Sequence, residues 1–191
     1  MKVMKSLNLI PKISETEKIA LEAGSTWVDG QLFSGNPDFE KILSEPYPQL
    51  NKEERNFINK QCRELCTLMD DDKAYKDGDL SLEVWSFLKK EKFLGIVIPK
   101  EYGGLGFSAL AHSEIINTVS GCSLPLAISI MVPNSLGPAE LLVHYGTQEQ
   151  KQYYLPRLAS GKDIPCFGLT EPNAGSDAGS ITSKAIIFKG D

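Results

Sequence analysis

The chain has 191 residues, of which 41% are hydrophobic and 24% are charged, and its formal net charge is −5. These values are ordinary for a globular protein, and an acidic balance without a basic stripe argues against nucleic-acid binding. No apolar run approaches the ~20 residues that a membrane-spanning helix needs. The N-terminus resembles neither a secretory signal nor an Arg-rich transit peptide, so we expect a cytoplasmic protein.

The four cysteines stand at positions 62, 66, 122 and 166, without a CxxC pair. We therefore expect free thiols in a reducing compartment. Cys62 and Cys66 could share one helix face, but two thiols do not complete a zinc site. His112 and His144 lie far from them in sequence. No metal site is predicted, and both histidines are expected to be structural or surface residues.

Residues 1–50 are predicted to form an extended arm, because prolines and glycines interrupt the segment repeatedly. A short helix over Ser14–Ala23 is compatible with the pattern. Trp27, Leu32 and Phe33 are expected to anchor the arm to an apolar surface.

Clear helix signals begin at Asn51, which has Glu54 three residues later, as in a capping box. Apolar residues then repeat at helical spacing as far as Met69. The acidic run Asp70–Asp72 is expected to lie in a solvated turn. Ser81 is predicted to open a second helix, with lysines near its C-terminal end, where cations suit the helix dipole.

Three glycines, Gly103, Gly104 and Gly106, follow a short apolar run and permit a tight turn with a close backbone approach. A phosphate-binding loop is the alternative, but no Gly-Lys-Ser/Thr follows. A structural hinge is therefore favoured, with a further helix from Ser108 to about Ser120.

Residues 124–135 are apolar around nearly the whole helix circumference. Such a helix is either the centre of a domain or one wall of an apolar ligand channel, and the core interpretation is favoured. Another helix is predicted to end at Tyr145. Thr147 and Gln150 form a second capping box, which opens the last helix.

The pattern changes at Gly161. Ile164–Thr170 and Ser183–Lys189 read as strands that flank a loop of turn-forming residues. A change from helices to strands indicates a domain boundary at about residue 163. We therefore predict an arm over 1–50, a helical domain over 51–162 and the start of a β domain over 163–191.

The loop after the first predicted strand offers groups suited to a polar cofactor. Leu169 backbone groups and the Thr170 hydroxyl could bind the edge of a flavin, while strand side chains such as Phe167 pack its ring. The amides of Gly175 and Ser176, with the Ser176 hydroxyl, could bind a phosphate. An ordinary surface turn is the alternative, since Pro, Asn and Gly all supply turn geometry.

Several motifs resemble the acyl-CoA dehydrogenase family. They are Ile98–Gly106, Tyr145–Lys151 with Tyr154–Pro156 and Ala159–Gly161, and Phe167–Asp177. Segments of the N-terminal arm and Met131–Pro138 resemble the large bacterial members that act in fatty-acid β-oxidation.

The resemblance implies a mainly α fold, in which the family's N-terminal helical domain is followed by the first strands of a β-barrel-like middle domain. It implies an FAD-dependent α,β-dehydrogenation of fatty acyl-CoA to trans-2-enoyl-CoA. Phe167, Leu169 and Thr170 would contact the isoalloxazine region of FAD. Gly175 and Ser176 would lie near the FAD diphosphate and the CoA substrate, with Ser176 also binding substrate.

The family's glutamate base comes from a C-terminal helical domain, so no catalytic residue is assigned here, and Glu171 is not given that role. The chain is expected to be the N-terminal portion of such an enzyme, inactive by itself. An electron-transfer flavoprotein is the expected acceptor, and the full-length protein is expected to be a homo-oligomer.

Two other functions stay open. One is a non-catalytic helical module that binds acyl-CoA or a protein partner, and the other is an acyl-CoA oxidase. Neither the acyl chain length nor the electron acceptor follows from these residues. A peripheral association with the inner membrane is the alternative to a purely cytoplasmic location.

Overall fold

The computed structural model describes residues 28–188 together with Ile19, Glu22 and Gly24. Most of the helix predicted within Ser14–Ala23 lies outside the described residues, as do Trp27 and the last residue of the second predicted strand. The chain divides into two units between Tyr47 and Pro48.

Between residues 28 and 47 the first unit contains two short helices, α1 (Val28–Phe33) and α2 (Phe39–Ser44). The Asp38 carboxylate caps α2 by accepting a hydrogen bond from the Lys41 amide at 3.0 Å. The prediction of an extended arm was therefore wrong for this stretch, because a local cap stabilises a helix between the prolines and glycines. The anchoring role of Leu32 and Phe33 stays a prediction.

The second unit opens with a helix in three parts: α3 (Lys52–Phe57), a π-helical turn (Ile58–Cys62) and α4 (Arg63–Leu68). The predicted capping box is confirmed. The Asn51 side chain accepts a hydrogen bond from the Glu54 amide, and the Glu54 carboxylate accepts one from the Asn51 amide, both at 2.9 Å.

Two helices follow, α5 (Asp71–Asp77) and α6 (Leu82–Lys90), and Ser81 caps the second as predicted. The three aspartates Asp70–Asp72 are exposed as expected, but the prediction that they form a turn was wrong. Asp70 caps α5 by accepting from the Lys73 amide at 2.9 Å, and the next two aspartates lie in its first turn. Carboxylates are favourable there because the N-terminal end of a helix carries partial positive charge.

The glycine turn is confirmed as a close backbone approach: it follows the short 3₁₀ helix Lys100–Tyr102 and contacts the end of another, Phe93–Gly95. The Leu105 amide donates to the Gly95 carbonyl at 2.9 Å. A Cβ at Gly104 would lie 2.1 Å from the Ile98 carbonyl oxygen, so only glycine fits.

The remaining helices are α7 (Ala109–Ser120), α8 (Leu124–Met131), α9 (Ala139–Tyr145) and α10 (Gln148–Ala159). The capping box of α10 is confirmed. The main core contains residues from α3 to α8, with Phe57, Phe93, Ile115 and Leu126 among its buried side chains.

The apolar helix α8 is buried on one face only. Leu126, Ala127 and Ile130 face the core, whereas Leu124 and Ile128 are 64% and 45% exposed. The stretch Leu124–Tyr145 is long and apolar enough to cross a membrane by length and composition alone, which the sequence reading had not anticipated. That observation assigns no membrane role, because the central helix of a packed domain has the same composition.

The buried amide of Asn134 holds three backbone groups together. It lies in a π-helical turn (Val132–Leu136) that continues α8. Its Oδ1 accepts from the Ile96 amide at 2.8 Å, and its Nδ2 donates to the carbonyls of Phe93 and Ile130, both at 2.8 Å. The side chain is 3% exposed, so these bonds replace water completely.

The two predicted strands do not form within the described residues. Residues 164–170 and 181–188 have no regular secondary structure, and one isolated bridge joins Glu171 to Ala174. A strand needs a hydrogen-bonded neighbour, and neither segment finds one in this part of the chain. The mainly α fold class is confirmed, whereas the domain limits stay predictions.

The cysteines also differ from expectation. Cys66 and Cys122 form a disulfide, while Cys62 is a buried free thiol and Cys166 an exposed one. The prediction of four free thiols was wrong, because folding brings α4 beside the turn after α7, with the two Cα atoms 5.9 Å apart. Burial raises the pKa of Cys62 to about 12, so this thiol stays protonated at neutral pH.

We expect Asn134→Ala to lower the free energy of unfolding by about 2–5 kcal/mol, since buried backbone groups of Ile96 and Phe93 lose their partner. Urea denaturation would measure the loss. Asn117→Ala, on the exposed side of α7, is the matched control and should cost far less. Equal losses in the two variants would contradict the role given to Asn134.

Acid should lower the free energy of unfolding partly by protonating Glu54. Besides the Asn51 amide, its carboxylate accepts a hydrogen bond from the Ser108 amide at 2.8 Å. Burial favours the neutral form, but hydrogen bonds from the Ser108 and Asn51 amides outweigh it and leave the pKa of Glu54 below its ordinary 4.5. Because the folded-state pKa is the lower one, the stabilisation is complete above about pH 4.5 and is lost as the pH falls through the folded value.

Glu54→Gln should therefore flatten the decrease of unfolding free energy below pH 4.5, as measured by denaturation at several pH values. Glu64→Gln, an exposed change on α4 inside the three-part helix, is the control and should keep far more of the wild-type pH dependence. An unchanged slope for Glu54→Gln would refute the assignment.

Thiol labelling of the native protein should modify Cys166 and spare Cys62. Unfolding without reductant should expose Cys62, and only reduction should release Cys66 and Cys122. Mass mapping of the labelled peptides distinguishes these sites. Labelling of Cys66 in the unreduced protein would contradict the cross-link.

Candidate functional site

The candidate loop, residues 170–177, is reached through a turn at the end of α10. The Arg157 guanidinium makes two bonds to the Asp163 carboxylate, one of them from Nη2 to Oδ1 at 2.9 Å. The amides of Lys162 and Asp163 both donate to the Arg157 carbonyl. Hydrogen bonding to the guanidinium lowers the pKa of Asp163, so the pair stays charged and fixes the turn after the helix.

The next residues contact the segment between α8 and α9. A Cβ placed on Gly137 would lie 3.1 Å from Cγ of Pro165 and 2.3 Å from the Pro133 carbonyl oxygen. The absence of a side chain at Gly137 therefore permits this close contact. The loop begins next to the π-helical turn that carries Asn134.

The loop itself is closed by its own backbone. The Glu171 amide donates to the Ala174 carbonyl at 3.0 Å, and the Ala174 amide donates to the Glu171 carbonyl at 3.2 Å. Ala174 is only 2% exposed. Further along, the Asp177 carboxylate accepts from the Gly179 amide and the Ser180 hydroxyl. These contacts fix a compact turn on either side of Gly175 and Ser176.

The five candidate residues are all solvent-accessible. Phe167 and Leu169 are 52% and 45% exposed, and Thr170, Gly175 and Ser176 are exposed as well. Within the described residues, the amides of Gly175 and Ser176 and the hydroxyls of Thr170 and Ser176 bond to no protein group. A Cβ on Gly175 would meet nothing within 4 Å, so space is open beside these donors.

This arrangement suits FAD chemically. Unpaired amide and hydroxyl donors match a diphosphate, and half-exposed apolar side chains match one face of an aromatic ring. Gly175 and Ser176 lie between the turn closed at Glu171 and Ala174 and the turn held by Asp177. It does not place Phe167 and Leu169 on a paired strand, and their roles toward the flavin stay predictions.

The carboxylate of Glu171 is fully engaged, which sequence reasoning missed. It accepts from the Thr182 amide at 3.0 Å and from the Ser183 amide at 3.2 Å. Hydrogen bonds from Ser183 and Thr182 lower the pKa of Glu171. An ionised carboxylate used in this way is not a free general base. No local pattern predicts partners eleven and twelve residues away.

The histidines lie elsewhere. His144 is exposed, whereas Nε2 of His112 is buried and, among the described residues, has no hydrogen-bond partner. Both line a cavity of about 300 Å³ that also includes Glu140 and Phe107. Burial lowers the pKa of His112, so it is neutral at physiological pH.

The helical unit and its loop match known proteins. The sequence profile of the acyl-CoA dehydrogenase N-terminal domain covers residues 44–162. Human mitochondrial very long-chain specific acyl-CoA dehydrogenase is 31% identical over 181 residues, which is 92% of this chain and 27% of that protein.

Two solved structures show the same architecture. The prolyl acyl carrier protein oxidase AnaB matches with a TM-score of 0.58 and 26% identity, over 70% of this chain and 36% of that one. The FAD complex of PigA matches with a TM-score of 0.57 and 26% identity, over 69% and 35% of the respective chains. The chain thus spans about a quarter to a third of the proteins it resembles.

The fold is that of a helical domain followed by a solvent-exposed turn, and the family whose profile it matches consists of FAD-dependent oxidoreductases. The chain belongs to the acyl-CoA dehydrogenase family.

Proposed function

We propose that the protein containing this chain is an FAD-dependent dehydrogenase of fatty acyl-CoA thioesters, producing trans-2-enoyl-CoA. The observation that carries the proposal is the turn at Gly175 and Ser176, whose donors have no acceptor within the described residues. Membership of the acyl-CoA dehydrogenase family supports the choice of substrate class and cofactor.

The residues of this chain bind and orient rather than react. The Gly175 and Ser176 amides and the Ser176 hydroxyl donate to phosphate oxygens of FAD or of CoA. The Thr170 hydroxyl donates to the polar edge of the flavin, while Phe167 and Leu169 cover apolar ring surface. Bound FAD supplies the acceptor for the hydride that leaves the β-carbon of the substrate.

The base that removes the α-proton is not assigned to this chain. Glu171 does not serve, because its carboxylate already accepts hydrogen bonds from Thr182 and Ser183. The exposed apolar face of α8, with Leu124 and Ile128, offers a surface against which an acyl chain can pack.

The partners follow the same proposal. Electrons pass to an electron-transfer flavoprotein, and the full-length protein is a homo-oligomer in the cytoplasm or at the inner membrane. An oxidase, in which oxygen is the acceptor, is the second candidate, favoured by the match to the acyl carrier protein oxidase AnaB.

The purified full-length protein should release FAD on denaturation, and anaerobic addition of a fatty acyl-CoA should bleach its flavin absorbance. Formation of enoyl-CoA with a dye acceptor, without oxygen consumption, supports the dehydrogenase. Rapid oxygen consumption with peroxide formation supports the oxidase. A full-length protein that binds acyl-CoA but neither contains nor takes up FAD would overturn both proposals and indicate a non-catalytic module.

Ser176→Ala should raise the Kd for FAD or for acyl-CoA by about tenfold or more, because a hydrogen bond to a charged phosphate is lost. Fluorescence titration of the flavin-free protein, and of the holoprotein with a substrate analogue, would show which ligand is affected. Ser113→Ala, on an exposed position of α7, is the control. Unchanged affinity for both ligands would remove Ser176 from the site.

A further inference from the structure

Glu171 connects the closed turn to a distant part of the chain. One carboxylate oxygen, Oε2, accepts from the Thr182 amide at 3.0 Å and from the Thr182 hydroxyl at 3.5 Å. The other, Oε1, accepts from the Ser183 amide at 3.2 Å. The side chain therefore closes a loop of eleven to twelve residues.

The backbone of the same residue closes a second, smaller loop. Its amide and carbonyl both pair with Ala174, which is buried. Gly175 and Ser176 follow directly, between this small loop and the Asp177 carboxylate that holds Gly179 and Ser180. Glu171 thus fixes the base of the large loop and the turn that precedes Gly175 and Ser176, whose donors have no partner among the described residues.

We propose that Glu171 is a positioning residue, which holds the Gly175 and Ser176 donors in place for a phosphate group without touching the ligand. The inference rests on the proposed function, because the phosphate in question is the diphosphate of FAD. Preorganised donors bind an anion better than mobile ones, since ordering them on binding would reduce affinity.

Both oxygens of Glu171 are needed for this role. They face two different backbone amides, and a glutamine offers one oxygen and one NH₂ group. In Glu171→Gln the NH₂ would face an amide donor, so one of the two contacts is lost with almost no change in volume. Glu171→Asp keeps two acceptor oxygens on a shorter side chain and should restore part of the function.

The test titrates the flavin-free full-length protein with FAD and, separately, with riboflavin, which lacks the diphosphate. We expect Glu171→Gln to raise the Kd for FAD about tenfold while leaving the Kd for riboflavin unchanged. The Kd of Glu171→Asp for FAD should lie between the values for Glu171→Gln and for the wild type. Glu64→Gln, an exposed change on α4, is the matched control and should bind both ligands as the wild type does.

The outcomes separate the two proposals. Wild-type protein that does not bind FAD would overturn the proposed function, and the inference with it. Wild-type protein that binds FAD, with Glu171→Gln equally tight, would overturn the inference alone. Equal weakening of FAD and riboflavin would also overturn it, because a general loss of structure does not distinguish a ligand with a diphosphate from one without.

Discussion

The buried side-chain amide of Asn134 is fully hydrogen-bonded to backbone groups of the helical unit. It joins the 3₁₀ turn at Phe93 and Ile96 to the end of the α8 helix, across about forty residues of sequence. Pro133 has no backbone N–H, and the helix widens into a π turn at this point. The Ile130 carbonyl then accepts from the Asn134 side chain.

The candidate loop begins beside that contact. Gly137 comes directly after the π turn, and its missing side chain leaves room for Pro165. The Arg157–Asp163 pair directs the chain toward the same place from the end of α10. Two structural constraints thus meet at the entrance to the loop, whose own hydrogen bonds then orient Gly175 and Ser176.

Two glutamate carboxylates, Glu54 and Glu171, each hold two separate backbone segments together. The Glu54 carboxylate accepts from the amide of Asn51, the cap of α3, and from the amide of Ser108, the cap of α7, so one side chain aligns two helix starts. Glu171 does the same for two loop segments. In each case hydrogen bonds rather than a cationic partner favour the ionised form: those from the Ser108 and Asn51 amides lower the pKa of Glu54, and those from the side chain of Ser183 and the amide of Thr182 lower the pKa of Glu171. Both carboxylates hold the backbone in place and neither is free to take up a proton from a substrate.

The sequence by itself determined the features that depend on neighbouring residues. The caps at Asn51, Ser81 and Thr147, the helices they open and the close glycine turn are set by local hydrogen bonding and backbone sterics, and the motifs sufficed to indicate the family. It misread Asp70–Asp72, where a good helix cap resembles a solvated acidic turn.

The tertiary structure decided the contacts between residues far apart in sequence, because no local pattern encodes them. The Asn134 and Glu54 bonds and the Cys66–Cys122 cross-link are of this kind. The strands predicted from residue 164 onward also depended on it. A strand forms only when another backbone pairs with it, and the described residues supply no such partner.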